Sequence, residues 1–131
     1  MRVIPTTTPD VEQALIAALK VAQSVDVKNV KPEKAKPYKV LVLRADLGQK
    51  VTPISRYCRV GIQGWSVSSD GRADLGDAFD ITAEAGRQLE LLAGTGIVLH
   101  AEVESGPVRV ADPETRLEYQ YLTALLEVSV T

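Results

Sequence analysis

One group of side chains in this 131-residue sequence has the chemistry of a metal site: His100, Glu102 and Glu104. Alternate residues of a β-strand lie on the same face, so a strand through these positions would present an imidazole and two carboxylates together. Such a set can hold a divalent cation. The same alternation arises on any strand whose other face is buried, and we favour this second interpretation, a solvated strand face.

Other groups suited to catalysis are few. His100 is the only histidine and Cys58 the only cysteine. Cys58 lies in an alternating apolar segment, which predicts a buried thiol rather than a nucleophile. The sequence contains neither the Gly-x-Ser-x-Gly motif of serine hydrolases nor the Gly-x-x-x-x-Gly-Lys motif of phosphate-binding loops. We therefore expect that this protein is not an enzyme and that it has no catalytic residue, no bound metal and no cofactor.

The composition is that of an ordinary globular domain, with 45% hydrophobic and 24% charged residues. We expect a single domain over residues 1–131. No apolar run approaches the ~20 residues that a membrane helix needs. The net charge of −2 gives no general attraction to nucleic acid or to an anionic membrane.

The charge is divided unevenly along the chain. Residues 1–69 hold eleven Lys or Arg and five Asp or Glu, whereas residues 70–131 hold four and twelve. Much of the positive charge lies in the lysine-rich segment 26–38, which we expect to be a flexible loop. Either the two halves neutralise each other within one subunit, or a basic surface of one copy meets an acidic surface of the next.

The hydrophobic pattern predicts an α+β domain, in which an antiparallel or mixed sheet of about four strands carries two helices on one face. The predicted helices span 9–25 and about 73–93, the second with an apolar stripe that includes Leu75 and Phe79. Apart from a short apolar run at 108–110, the predicted strands span 39–44, 57–67, 97–104 and 116–130, with a polar loop at 46–56. A change of apolar parity predicts a bulge near Leu125 and Leu126.

The order of these segments resembles a known protein family. The segments that carry the resemblance are an N-terminal helix with PDVEQAL, a strand with RVGIQGWS, an acidic helix ending in ELL, and a C-terminal part with SGPV, DPETR and YQYLTALLEVSV. Together they resemble the tail terminator, or tail completion, proteins of long, non-contractile-tailed bacteriophages, especially those of actinobacterial hosts. The resemblance spans nearly the whole chain, and the lysine-rich segment lies outside it.

The resemblance implies an α+β fold whose copies form a hexameric ring. Such a ring caps the growing tail tube, ends its polymerisation and joins the tail to the head–tail connector. The implied partners are further copies of the chain, the tail tube protein and the connector, while DNA passes the channel without sequence-specific binding. The implied location is the neck of the virion tail, after assembly in the host cytoplasm.

A protein that stops a tube needs complementary surfaces, and we expect segments 46–56 and 105–116 to supply them. The candidates for contacts between subunits or along the axis are Lys28, Lys31, Lys34, Gln49, Lys50, Arg56, Arg109 and Arg116. The candidates for lining the channel, where carboxylates would repel DNA phosphate, are Glu102, Glu104 and Asp112. Two alternatives stay open: another tail or neck component, such as a tube subunit or connector protein, and a metal-dependent enzyme that uses His100, Glu102 and Glu104.

Overall fold

The computed structural model describes residues 8–22, 25–28 and 38–129. In chain order, its elements are α1 (Thr8–Ala22), β1 (Asp26–Lys28), β2 (Tyr38–Thr52), β3 (Ser55–Val67), α2 (Leu75–Leu91), β4 (Val98–Ala111) and β5 (Glu118–Ser129). Helix α1 begins at a Thr-Pro-Asp sequence, where proline suits the first turn and aspartate the positive end of the helix dipole. The predicted α+β class is confirmed.

The strands form one mixed sheet in the order β1-β2-β3-β5-β4. Strand β1 pairs with β2 in parallel, and the other neighbours are antiparallel. Within the described residues the sheet has five strands rather than about four, because residues 26–28, predicted as part of the loop, form β1. Val27 in this strand is only 1% exposed, so its burial against the core fixes the segment. Residues 29–37 lie outside the described residues.

Both helices pack on the same face of the sheet, as predicted. Buried residues of α1, α2 and the sheet form one apolar cluster. From the helices it takes Val11, Leu15, Ile16, Leu19, Ile81, Ala85 and Leu89. Cys58, Val60 and Ile62 of β3 face this cluster, and their alternation follows the period of a strand that is covered on one side. Neither described helix is long and apolar enough to span a lipid bilayer.

The rotation of α2 differs from the predicted stripe. Phe79 is 45% exposed, whereas Ala78 and Thr82 are buried. At Gly64 of β3, an added Cβ would lie 2.9 Å from the carbonyl oxygen of Ala78 and would overlap the Thr82 hydroxyl. Helix and sheet therefore approach closely through small residues, and this packing turns Phe79 toward solvent.

The irregular strand of the C-terminal hairpin is β4, not β5. Burial alternates along β5 without interruption, so the bulge predicted near Leu125 and Leu126 is wrong. Strand β4 instead runs from residue 98 to 111 with register shifts between Val98 and His100 and on either side of Ser105. These bulges join the two segments that the sequence predicted separately, and they leave Leu99 45% exposed.

Strand β2 is also longer than predicted. The polar segment 46–56 is largely strand, because β2 continues to Thr52 and β3 begins at Ser55. Residues 48–54 are all exposed, so the outer part of this hairpin lies beyond the core. Its polar sequence reflects exposure, and not the absence of regular structure.

Candidate functional site

The face of the sheet opposite the helices, here called the open face, carries a depression with a volume of about 690 Å³. Strands β2, β3 and β5 supply its lining. The lining residues are Arg44, Asp46, Leu47, Gly48, Gln49, Tyr57, Arg59, Gly61, Tyr121 and Leu125. We call this depression the open-face cavity.

Gly61 forms the floor of the open-face cavity. It pairs with Arg44 on one side and Thr123 on the other, at the centre of the sheet. The ring of Tyr121 lies against it so closely that an added Cβ would overlap the phenol oxygen. An aromatic ring thus occupies the space that a missing side chain leaves, which stabilises a glycine within a strand.

The two arginines of the open-face cavity differ in their partners. Arg59 donates two hydrogen bonds, of 3.0 and 3.1 Å, to the carboxylate oxygens of Glu104 on β4. This paired geometry holds the pKa of Arg59 above its ordinary value. Arg44 is exposed and makes no ion pair or hydrogen bond with any described residue. Its guanidinium is therefore a charged group at the cavity wall that remains available to a partner.

At one end of the open face, Trp65 belongs to a small second core. It is fully buried, and its ring stacks on Tyr119 with centroids 4.5 Å apart and planes inclined by 23°. Its indole N–H donates to the amide oxygen of Gln63 at 3.0 Å. Val40 and Val42 complete the cluster. The sole tryptophan is thus a structural residue with a satisfied donor.

The tip of the β2–β3 hairpin exposes apolar side chains. Val51 is 37% and Ile54 56% exposed. Polar contacts hold the turn, because the hydroxyls of Thr52 and Ser55 lie 2.7 Å apart and Ser55 donates to Glu127 at 2.8 Å. The tip is thus an apolar surface on a fixed turn.

Three of the predicted contact residues lie on this hairpin. Gln49 lines the open-face cavity. Lys50 is exposed beside the tip, and Arg56 donates to the carbonyl oxygen of Gly48 at 2.9 Å. Gln49 and Lys50 thus present their side chains to solvent, while Arg56 braces the hairpin.

The remaining predicted contact residues are dispersed. Arg109 of β4 lies 2.8 Å from a carboxylate oxygen of Glu118, and Arg116 occupies a left-handed conformation in the β4–β5 turn, with φ of 61°. Lys28 lies on β1, 3.5 Å from Asp26. Lys31 and Lys34 fall outside the described residues.

The candidate metal ligands do not converge. His100 and Glu102 both lie on the open face, 3.9 Å apart, and both are exposed. Glu104 instead pairs with Arg59, which lies two strands away. Among the residues that the structure describes, no three His, Cys, Asp or Glu side chains gather as a metal site would require.

The channel-lining candidates differ in exposure. Glu102 is exposed, with 71% of its side chain accessible, while Glu104 is held by Arg59. Asp112 is only 8% exposed, which contradicts its assignment to a channel surface. Its carboxylate accepts hydrogen bonds from the backbone N–H and hydroxyl of Thr115, at 3.0 and 2.6 Å. Asp112 therefore holds the β4–β5 turn, the usual role of aspartate at such a position.

Cys58 is a core residue, as predicted. The thiol is fully buried, and this burial raises its pKa to about 11. The nearby carboxylate of Asp46 acts in the same direction. A thiol that stays protonated at neutral pH is a poor nucleophile.

Sequence reasoning missed the open-face cavity itself. The alternation around Cys58 implies that Arg59, the next residue of β3, lies on the face away from the core. The sequence does not show which strand lies next to β3, and Tyr121 and Leu125 reach Gly61 only through the β3–β5 pairing.

No protein-family model matches this chain, and no curated protein is significantly similar to it.

Proposed function

We propose that this protein is a phage tail terminator, a structural virion protein whose copies form a ring that caps the tail tube. The ring ends polymerisation of the tube and offers its other side to the head–tail connector. Two arguments support the proposal: the resemblance in the order of segments, and a surface suited to contacts between proteins.

The main structural support for the proposal is the exposure of the outer part of the β2–β3 hairpin. Its outer residues, 48–54, are all exposed, and they include the apolar Val51 and Ile54. Exposed apolar groups gathered at one tip are typical of a contact surface. We assign this tip to the axial contact with the tube.

The β4 edge of the sheet suits a protein that ends polymerisation of the tail tube. Strand β4 is an outer strand, and unpaired strand edges can recruit further copies by backbone hydrogen bonding. Its register shifts interrupt the regular ladder, and Pro107 lacks a backbone N–H. The addition of strands from further copies at this edge is thereby disfavoured. This is consistent with a closed ring that ends polymerisation of the tube.

The direct test combines the purified protein with tail tube subunits and measures tube lengths by negative-stain electron microscopy. We expect short, capped tubes with the wild-type protein. Ile54→Asp should retain the ring but lose capping, because it places a charge in the apolar axial contact. Leu91→Asp is the matched control, since Leu91 is a similarly exposed apolar residue, at the end of α2.

Two results would contradict the proposal. Polymerisation of the protein alone into long tubes would identify it as a tube subunit. Tube lengths that do not change when the protein is added would remove the terminator role.

A further inference from the structure

We infer that the open-face cavity of one copy receives the Phe79 end of α2 from a second copy of this chain. The inference deepens the proposed function and rests on it for closure of the ring, but the contact itself is argued from two surfaces of the described structure. Each surface has one charged group, Arg44 or Asp80, with no partner among the described residues.

The receiving surface combines aromatic rings with positive charge. Tyr57 and Tyr121 line the open-face cavity, and Tyr57 is 41% exposed. The charged residues that line the cavity are Arg44, Asp46 and Arg59, and Arg59 is already paired with Glu104. Arg44, at the cavity wall, has no charged partner among the described residues. The cavity therefore favours an apolar group that is flanked by carboxylates.

The first two turns of α2 present such a group. Phe79 is 45% exposed, and the neighbouring Asp80 is exposed and pairs with no described residue. From residue 74 to 82 the chain holds three acidic residues and no basic residue, and one of them, Asp77, is paired with Lys39. This surface is thus opposite in charge to the receiving surface, and opposite charges guide association and fix its register.

The sizes of the two surfaces agree. A depression of about 690 Å³ lies within the range of roughly 300–1,000 Å³ that is typical of ligand sites. An aromatic side chain and its flanking carboxylate fit within such a volume. Phenylalanine is also an effective anchor, because burying its ring removes a large apolar area from water.

The topology requires that the two surfaces meet between copies. Helix α2 covers one face of the sheet, and the open-face cavity lies on the other. A subunit cannot fill its own cavity, and two copies related by a two-fold axis cannot satisfy both surfaces with each other. The contact is therefore head-to-tail, and such contacts give rings when the rotation between copies closes.

Charge exchange tests the contact. Arg44→Glu and Asp80→Arg should each weaken self-association, measured by sedimentation equilibrium, by at least tenfold. The double variant should recover assembly, because the two charges exchange sides and stay opposite across the contact. An equimolar mixture of the two single variants should also recover assembly, because copies that alternate around a ring with an even number of subunits pair opposite charges at every contact.

Phe79→Ser should weaken self-association as strongly as either charge variant, while Leu91→Ser, at the far end of α2, should leave it unchanged. Circular dichroism and the fluorescence of the buried Trp65 report whether each variant is folded. Wild-type association from folded single variants, no recovery in the folded double variant, or a wild-type chain that stays monomeric would each overturn the inference.

The two proposals fail in different ways. If the charge exchange behaves as expected but the assembly neither closes into rings nor caps tubes, the contact stands and the terminator function is wrong. If the wild-type protein caps tubes but Arg44→Glu, Asp80→Arg and Phe79→Ser all associate normally, the function stands and this contact is wrong.

Discussion

Arg59 and Glu104 join the middle of the sheet to its edge. The guanidinium on β3 reaches across β5 and binds both carboxylate oxygens of a residue on β4, at 3.0 and 3.1 Å. The pair marks the boundary between a basic part of the open face, on β2 and β3, and an acidic part on β4. It also removes Glu104 from the carboxylates that a metal ion or a channel could use.

We predict that Glu104→Gln increases the mobility of β4. The substitution removes the charge that orients Arg59, so the bulged edge strand loses its link to β3. Hydrogen–deuterium exchange should be faster in β4 and unchanged in α1. Glu102→Gln is the matched control, because Glu102 is exposed and does not bind Arg59. Equal exchange rates in the two variants would contradict a structural role for the pair.

We predict opposite effects for two Gly→Ala substitutions. Gly64→Ala should lower the free energy of unfolding by roughly 1–3 kcal/mol, since the added methyl group would press on Ala78 and Thr82. At Gly76 of α2 an added Cβ would meet only Asp74 Oδ1, at 3.8 Å. Gly76→Ala should therefore leave the free energy of unfolding unchanged or raise it by up to about 1 kcal/mol, because alanine favours the helix. Urea unfolding followed by Trp65 fluorescence measures both. Little loss in Gly64→Ala would show that helix and sheet are not closely packed.

Stability should fall in acid partly through Asp77. The Ser66 hydroxyl, 2.6 Å away, and then Lys39 hold the pKa of Asp77 below its ordinary value of 3.8. The folded state therefore binds this proton less readily than the unfolded state. The resulting stabilisation is complete above the unfolded pKa and disappears as the pH falls through the folded pKa.

Asp77→Asn should accordingly make the free energy of unfolding less dependent on pH below about pH 4, and should change nothing in that dependence between about pH 5 and 7. Unfolding curves at several pH values measure this effect. Asp80→Asn serves as the control. Glu84, whose pKa is lowered to about 2 by its bonds to Arg87 and Gln88, contributes equally in both variants. An unchanged acid slope in Asp77→Asn would contradict the assignment.

We predict that Cys58 is inert in the folded protein. Its burial and its pKa of about 11 should make alkylation by iodoacetamide at about pH 8 slow, with rapid reaction once the chain is unfolded in urea. Mass spectrometry of the alkylated protein measures both rates. Rapid modification under native conditions would show that the core around β3 opens readily.

Local periodicity was sufficient to predict the class of fold and most of its elements. The alternation around Val60 and the helical spacing around Leu15 both report burial on one face, which a single sequence contains. Local periodicity failed where a residue distant in the sequence determines the local structure. Gly64 sets the rotation of α2, so Phe79 is exposed against expectation, and the bulges of β4 cannot be read without its pairing to β5.

The candidate site was predictable only in part. The hairpin residues Gln49 and Lys50 are exposed, as a contact surface requires. Asp112 was misassigned, because its Asp-Pro-Glu-Thr context gives a polar turn whether the carboxylate faces solvent or binds the backbone. The open-face cavity forms where β2, β3 and β5 lie side by side. The spacing of residues within one segment does not show which strands are neighbours.

The most direct test of a ring-forming structural role is negative-stain electron microscopy of the purified protein, with the particle mass measured by native mass spectrometry. We expect closed rings of uniform size, whose mass is a whole multiple of the 14.1 kDa subunit. Only monomers at every concentration, or open filaments of varying length, would contradict this role.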